Sequence, residues 1–284
     1  MAELRELKAA GSGATDARPV ISVIIPSYNH ARYVTDAIRS VAAQVRDGFE
    51  LEPIVIDDGS RDGSAELLRD LQRSDDFDFK LVVKDNEGLC RTLNRAVREH
   101  STGDYISVIA SDDMWEPDKL GRQLAALRSN PASRLCYSNA RTFGENGKGG
   151  KWSKFHFTGK IRPILTVYNF VPAGTMLFTR GLYDEIGGFD ETGLKLEDWD
   201  FLIRASARTE FSYVDECFLL YRVHDESALA RMRATGTLYT EKMRVLRKNR
   251  AITSPVLRFV SMCVHFNLDR VARPLLSAMR ARQA

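Results

Sequence analysis

The stretch DYISVIASDDMWEPDKL, residues 104–120, sets two adjacent carboxylates, Asp112 and Asp113, directly after the apolar run Tyr105–Ala110. Two like charges at the end of a buried strand repel each other and lose hydration, so a neighbouring cation is the simplest way to hold them. A plainer account makes the pair a turn and helix cap ahead of Pro117, since Asp caps helices and Pro suits the first helical turn. On these residues alone the cap is the simpler account. Two more polar clusters follow apolar runs: Pro26-Ser27-Tyr28-Asn29 and Asp57-Asp58-Gly59-Ser60. In an open parallel sheet, ligands bind outside the carboxyl ends of the strands. Three such clusters on one rim would make an acidic pocket with a stacking aromatic and small residues where a ligand can approach. No G-x-G-x-x-G follows the first run and no G-x-x-x-x-G-K-[ST] occurs, which excludes a dinucleotide fingerprint and a phosphate-cradling loop. An acidic pocket of this kind holds a nucleotide diphosphate only with a divalent metal between the carboxylates and the phosphates.

The elements that must position these residues are legible as alternating patterns. Residues 19–29, a near-continuous apolar run broken by Pro26, read as a strand buried on both faces, and Val34, Ala37, Ile38, Val41, Ala42 and Val45 recur at helical spacing after it. Residues 51–60 predict a second strand and 64–72 a second helix; 79–86 a third strand and 88–100 a third helix; 105–111 a fourth strand and 117–130 a fourth helix, with Leu120, Leu124 and Leu127 inward. Four strand–helix alternations with short links indicate a parallel sheet covered by helices on both faces. Beyond Asn130 the regularity decays. Strands are expected at 134–140, 174–180 and 216–224, a helix at 196–207, and a mobile glycine- and lysine-rich loop near 143–155. From Ala228 the pattern is helical and amphipathic, with breaks expected at Pro255 and Pro274.

Composition bounds the function classes. The chain has 284 residues, 44% hydrophobic and 28% charged, as expected of an ordinary soluble protein with a sizeable core. Its four cysteines form no Cys-x-x-Cys pair, which argues against a zinc site or disulfide framework and fits a reducing compartment. The N-terminal segment lacks the apolar core of a signal peptide and reads as a flexible leader, and no apolar run is long enough to span a bilayer. The net charge of +3 hides an asymmetry: residues 228–284 hold 12 Arg or Lys and 2 acids, a net +10, leaving −7 on the rest. A basic extension on an acidic body fits an anionic partner such as a phospholipid surface or nucleic acid; a solvated helix surface is an equal and plainer reading.

The ordered motifs resemble the family 2 glycosyltransferases of the GT-A fold over most of Val20–Ser227. SVIIPSYNHARYVTDAIRSVAAQ looks like that family's opening strand and helix, and VIDDGSRDGS like its nucleoside-binding turn. ASDDMWEPDKL is similar to its metal-binding motif, and GGFDETGLKLEDWDFLIR to the segment carrying its catalytic base. The resemblance implies a Rossmann-like α/β domain over 19–227, with a nucleotide-binding half (19–115) and an acceptor half (116–227). A leader (1–18) would precede it and a basic helical extension (228–284) follow it.

It further implies that Pro26, Tyr28, Asn29 and Asp58 hold base and ribose, that Asp112 lies near ribose and phosphate, and that Asp113 and His224 meet Mn²⁺ or Mg²⁺. Asp198 would be the general base. Two departures stand out: Ala110 occupies a position that often carries an acid, and Leu93 lies where an arginine often helps hold the nucleotide, with Arg91 as a substitute. No Q-x-x-R-W follows Glu197-Asp198, so transfer of one sugar per encounter is expected. The implied activity is inverting, metal-dependent transfer from a UDP-linked sugar to a glycan or lipid-linked saccharide in cell-surface polysaccharide synthesis. The implied location is cytoplasmic, at the inner face of the membrane, with no nucleic acid partner. A sugar nucleotidyltransferase remains an alternative, as does a sugar-nucleotide-binding protein without transfer activity. Trp115 and Trp199 flank the motifs and either stack on a sugar or pack in the core.

Overall fold

The computed structural model of the chain describes residues 18–74, 76–144, 149–225 and 227–272. Within the first hundred residues the apolar runs become parallel strands and the periodic segments become covering helices. β1 (Val20–Ser27) is buried on both faces, and α1 (Val34–Ala42) turns Val34, Ala37, Ile38 and Val41 inward. β2 (Glu50–Asp58), α2 (Ser64–Arg73), β3 (Lys80–Lys84), α3 (Leu89–Arg95, continued by a wider turn over Ala96–His100) and β4 (Tyr105–Val108) follow. Strands β3, β2, β1 and β4 lie side by side and parallel, with Ser27 level with Asp57 and Asp58 level with Lys84. That register brings the polar ends of β1 and β2 to one edge. Gly59 makes the turn after β2 possible. Its φ is +74°, and a Cβ there would meet the Asn86 backbone nitrogen at 2.7 Å.

The second half holds β5 (Met114–Trp115), α4 (Lys119–Ser129), β6 (Ser133–Phe143), α5 (Arg162–Val167), β7 (Leu177–Thr179), α6 (Arg180–Ile186), α7 (Glu197–Ala205) and β8 (Glu210–Arg222). The complete sheet has eight strands in the order β3-β2-β1-β4-β7-β6-β8-β5. It is more mixed than the alternation predicts. β4–β7, β6–β7 and β5–β8 pair antiparallel, while β6–β8 is parallel. Strands β5 and β7 have two and three residues, too few for any periodicity to register. Leu120, Leu124 and Leu127 are buried as expected. Trp115 and Trp199 are core residues, their indole N–H groups donating to the Gly174 and Leu165 carbonyls at 2.8 and 2.7 Å. The helix-cap account of the acidic pair fails: Asp112 and Asp113 lie in a turn before β5, and α4 starts only at Lys119.

Two apolar clusters, one on each face of the sheet, form the core. A third, built on Leu194, Trp199, Ile203, Val245 and Leu246, joins α7 to the C-terminal extension. That extension forms α8 (Ala228–Ala234), α9 (Leu238–Lys248) and α10 (Pro255–Phe266), with Pro255 opening α10. The buried Asp200 receives Arg204, Lys248 and Asn249 at 2.7–2.8 Å, so the join is polar as well as apolar. Part of the glycine-rich loop is pinned along β6: Trp152 N–H donates to the Ala140 carbonyl at 2.9 Å, and its ring packs on Tyr221 at 4.8 Å. Residues 145–148, the leader up to residue 17 and the expected break at Pro274 lie outside the described residues. Among the described residues no helix is long and apolar enough to cross a membrane.

Candidate active site

The carboxyl ends of β1, β2, β3 and β4 open onto a cavity of about 430 Å³. Pro26, Tyr28, His30, Asp58, Asn86, Ser111 and Asp112 are among its lining residues, and α8 closes it with Ala228 and Arg231. Tyr28 is exposed, leaving a ring face free to stack. Asn29 adopts φ 55° and works on the backbone instead. Its amide donates to Ser60 Oγ at 2.9 Å and its Oδ1 accepts the Arg61 N–H at 2.8 Å, tying the β1 and β2 turns together. Asp57 is consumed by that turn, accepting the Ser60 N–H and Oγ–H at 2.9 and 2.6 Å. The Asp58 carboxylate accepts the Glu87 and Gly88 N–H groups at 2.9 and 3.0 Å and is paired with Lys84. It thereby shapes the β3–α3 turn and keeps limited acceptor capacity toward the cavity.

The acidic pair divides. Asp112 faces the cavity, its Oδ2 lying 2.9 Å from His224 Nε2 and 4.0 Å from His30 Nε2. His30 Nδ1 meets Ser111 Oγ at 2.8 Å, and burial pushes its imidazole below the ordinary range against the pull of Asp112. Asp113 is buried and absent from the cavity lining. It accepts the Arg222 backbone N–H at 2.8 Å, while Arg222 Nε donates to the Asp112 carbonyl at 2.8 Å. The Arg222 guanidinium is held between the Tyr33 and Phe143 rings at 4.7 and 4.5 Å. Burial, then the charge of Asp112, pushes the Asp113 carboxyl well above the usual carboxylate range. Asp113, expected on the metal, here clasps β8, and its neighbour Asp112 presents its carboxylate to the cavity.

Among the described residues no group of three or more His, Cys, Asp or Glu side chains has a metal-holding geometry. Asp112 and His224 still suit a divalent ion that takes its other ligands from phosphate and water, as Mg²⁺ commonly does. His224 Nδ1 is buried with no hydrogen-bond partner, whereas Nε2 faces the Asp112 carboxylate, an acceptor that favours the proton on Nε2 until a metal takes its place.

The Glu197-Asp198 pair opens α7. Asp198 Oδ2 accepts Asn169 Nδ2–H at 3.0 Å, and Asn169 Oδ1 accepts the Val171 N–H at 3.2 Å. Burial raises Asp198; burial and then the Asp198 charge push Glu197 up to about 8. Glu197 lines a second cavity of about 590 Å³, together with Arg91, Glu191 and Lys195. The two cavities adjoin, since Gly88, Leu89, Ala228 and Arg231 line both. Arg91 belongs to the larger one alone and stands 3.8 Å from Glu191, so it does not reach the Asp112 wall. Arg231 is exposed on both walls, and among the described residues its guanidinium has no hydrogen-bond or ion-pair partner. Sequence reasoning passed over His30 and Arg231, because neither sits in a motif with a recognisable spacing.

Residues 22–187, more than half of the chain, match the family model described as glycosyl transferase family 2. A Bacillus subtilis (strain 168) protein provisionally named as the teichuronic acid biosynthesis glycosyltransferase TuaG is 36% identical over 110 residues, 39% of this chain and 42% of that protein. An uncharacterized glycosyltransferase of Rickettsia typhi is 26% identical over 246 residues, 82% of this chain and 74% of that protein. The chain spans less than half of the Bacillus relative and 65% of the uncharacterized Nostoc glycosyltransferase alr2836. Among solved structures, TarS 1-349 of S. aureus in complex with UDP-GlcNAc superposes with a TM-score of 0.62 at 20% identity, covering 89% of this chain and 74% of that one. The mannosyltransferase PcManGT of Pyrobaculum calidifontis, in complex with GDP-Man and Mn²⁺, gives 0.60 at 16% identity, covering 99% and 85%. At these identities the likeness is one of fold.

Proposed function

We propose a reaction for this chain on the premise that it belongs to glycosyl transferase family 2: single-step, inverting transfer of a sugar from a nucleoside diphosphate sugar to an acceptor hydroxyl. The observation that carries the reading is the pair of adjoining cavities, one walled by Asp112 and Tyr28, the other by Glu197, whose neighbour in the first turn of α7 is Asp198. Tyr28 stacks on the base, and the turn held by Asp58 and Asn29 receives base and ribose. Asp112 and His224 would hold Mn²⁺ or Mg²⁺, which when bound neutralises charge on the diphosphate. Arg231 adds a second positive charge at the boundary between the cavities, beside the bond that breaks.

On the acceptor side, Asp198 takes the hydroxyl proton while Asn169 holds Oδ2. The acceptor oxygen bonds to the anomeric carbon on the face opposite the diphosphate, and the carbon–oxygen bond to the diphosphate breaks with both electrons leaving on that group. One displacement inverts the centre. UDP is the nucleotide of this reading, supported by the fold shared with TarS, whose complex holds UDP-GlcNAc; the GDP-Man complex of PcManGT makes GDP the competitor to test. The acceptor is a glycan or lipid-linked saccharide of the cell surface, in keeping with the teichuronic acid assignment in the Bacillus relative's name.

Calorimetry with UDP, GDP and dTDP, each in Mn²⁺ and in EDTA, tests the donor side. UDP is expected to bind only with the metal, and Arg231→Ala to weaken it about tenfold, the value of one charge-assisted contact. Equal affinities in EDTA for every nucleotide that binds would overturn the metal-bridged reading.

The acid pair also fixes a pH dependence. A base must be ionised to accept a proton, and burial holds Glu197 and Asp198 protonated to higher pH than a free carboxyl. Transfer should therefore fall as pH drops through the raised folded-state values of the pair. The kcat/KM profile is expected to show an acid limb centred above the ordinary carboxylate range. A limb centred near 4, typical of a solvated carboxyl, would mean the proton acceptor is some other group.

A further inference from the structure

Helix α10 is inside out for a surface helix. Its inward face is polar: Ser261 Oγ donates to the Val167 carbonyl at 3.0 Å, and His265 lies against the Tyr168 and Trp199 rings at 5.9 and 5.4 Å. Its outward face carries Val256, Phe259, Val260, Cys263 and Phe266, spaced i, i+3, i+4, i+7 and i+10, so they form one stripe. Val256, Phe259 and Phe266 are 69%, 66% and 51% exposed. Single exposed apolar residues are ordinary, but a contiguous row of this kind marks a surface that is covered in use.

We propose that α10 lies flat on an anionic lipid surface, burying this stripe at the boundary between headgroups and acyl chains. The inference makes no use of the sugar-transfer reading. Charge selects the occupant. Residues 228–284 carry 12 Arg or Lys against 2 acids. Arg247 and Arg250, both exposed, precede the helix, and Arg270, Arg273, Arg280 and Arg282 follow it in the chain. An anionic surface takes up the apolar stripe and the flanking cations together. A second copy of the chain would take up the stripe but set this positive segment against its own image, because a two-fold contact places the same patch on both sides. At 12 residues α10 is about 18 Å long, well short of a span and long enough to lie in the interface.

The test uses the full chain with vesicles of phosphatidylglycerol and phosphatidylcholine in equal parts, and with pure phosphatidylcholine. Sedimentation is expected to show binding to the first that weakens as salt rises, and little to the second. Phe259→Glu should reduce the bound fraction at least about tenfold, the value of one buried aromatic side chain. Because residue 259 is exposed, its melting temperature and monomer state should stay as in the parent. Arg247→Glu with Arg250→Glu should reduce binding to anionic vesicles and leave the apolar stripe intact. Three results would overturn the proposal: no binding to anionic vesicles, binding that Phe259→Glu leaves unchanged, or a parent dimer in lipid-free buffer that Phe259→Glu converts to monomer. The last would assign the face to a second copy.

Discussion

Asp198→Asn should lower the rate of sugar transfer by about 10²–10⁴-fold, equivalent to roughly 3–5 kcal/mol of barrier, while donor affinity stays near that of the parent. The carboxamide keeps the shape of the side chain and still presents an oxygen to Asn169 Nδ2, which donates to Oδ2 at 3.0 Å. It loses the ability to take a proton. Donor affinity is spared because Asp198 is not among the residues lining the Asp112 cavity. Stability supplies a separate readout. Burial raises Asp198, so the ionised form is disfavoured in the folded protein, and a neutral side chain removes that cost at neutral pH. If Asp198 served only as an acid at the positive end of α7, the substitution would cost about 0.3–1 kcal/mol and leave turnover nearly intact. Melting temperature, donor affinity and transfer rate on one variant separate these outcomes. A folded Asp198→Asn protein that transfers sugar at close to the parent rate removes Asp198 from the chemistry.

The parts of this fold that were legible in the sequence share a physical cause. β1 and β2 are buried runs whose ends coincide with a change to polar residues, β4 lies within the apolar run that ends before Ser111, and α1 and α4 repeat their apolar positions over two or more turns. Both signals are local. β5 and β7 carry no local signal, because their place in the sheet comes from pairing with β8 and with β4 and β6, partners distant in sequence.

The site follows the same division. Asp112, Asp58, Tyr28 and Glu197-Asp198 were visible because they end strands or open a helix in a recognisable order. Arg231 was not, since its role arises only when α8 folds back over the rim formed by the first four strands. The split between Asp112 and Asp113 was hidden for a related reason. Adjacent residues leaving a strand point to opposite sides, and which one meets the cavity depends on β8, whose Arg222 amide captures one of them. The polar inner face of α10 reads from sequence as a solvent face, because periodicity reports which residues lie together and not which way they look.

That split sets up the second large effect. Asp112→Asn should weaken metal-dependent UDP binding by at least about 100-fold, since it removes the carboxylate that faces the cavity beside His224. Asp113→Asn should change it by less than about threefold. Its carboxamide oxygen can still accept the Arg222 N–H, and the substitution relieves a carboxyl that burial and the Asp112 charge hold well above its usual range. Removing the side chain with Asp113→Ala is a different experiment. It leaves the buried Arg222 amide without its acceptor, at a cost of about 1–3 kcal/mol of stability. Calorimetry with UDP in Mn²⁺ and in EDTA, on both Asn variants, reads the assignment directly. In EDTA the parent and both variants should be equally weak, because neither carboxylate contacts the nucleotide without the ion in this reading. If Asp113→Asn instead abolishes the metal dependence and Asp112→Asn preserves it, Asp113 is the metal ligand. The clasp on Arg222 would then have to open whenever the donor binds.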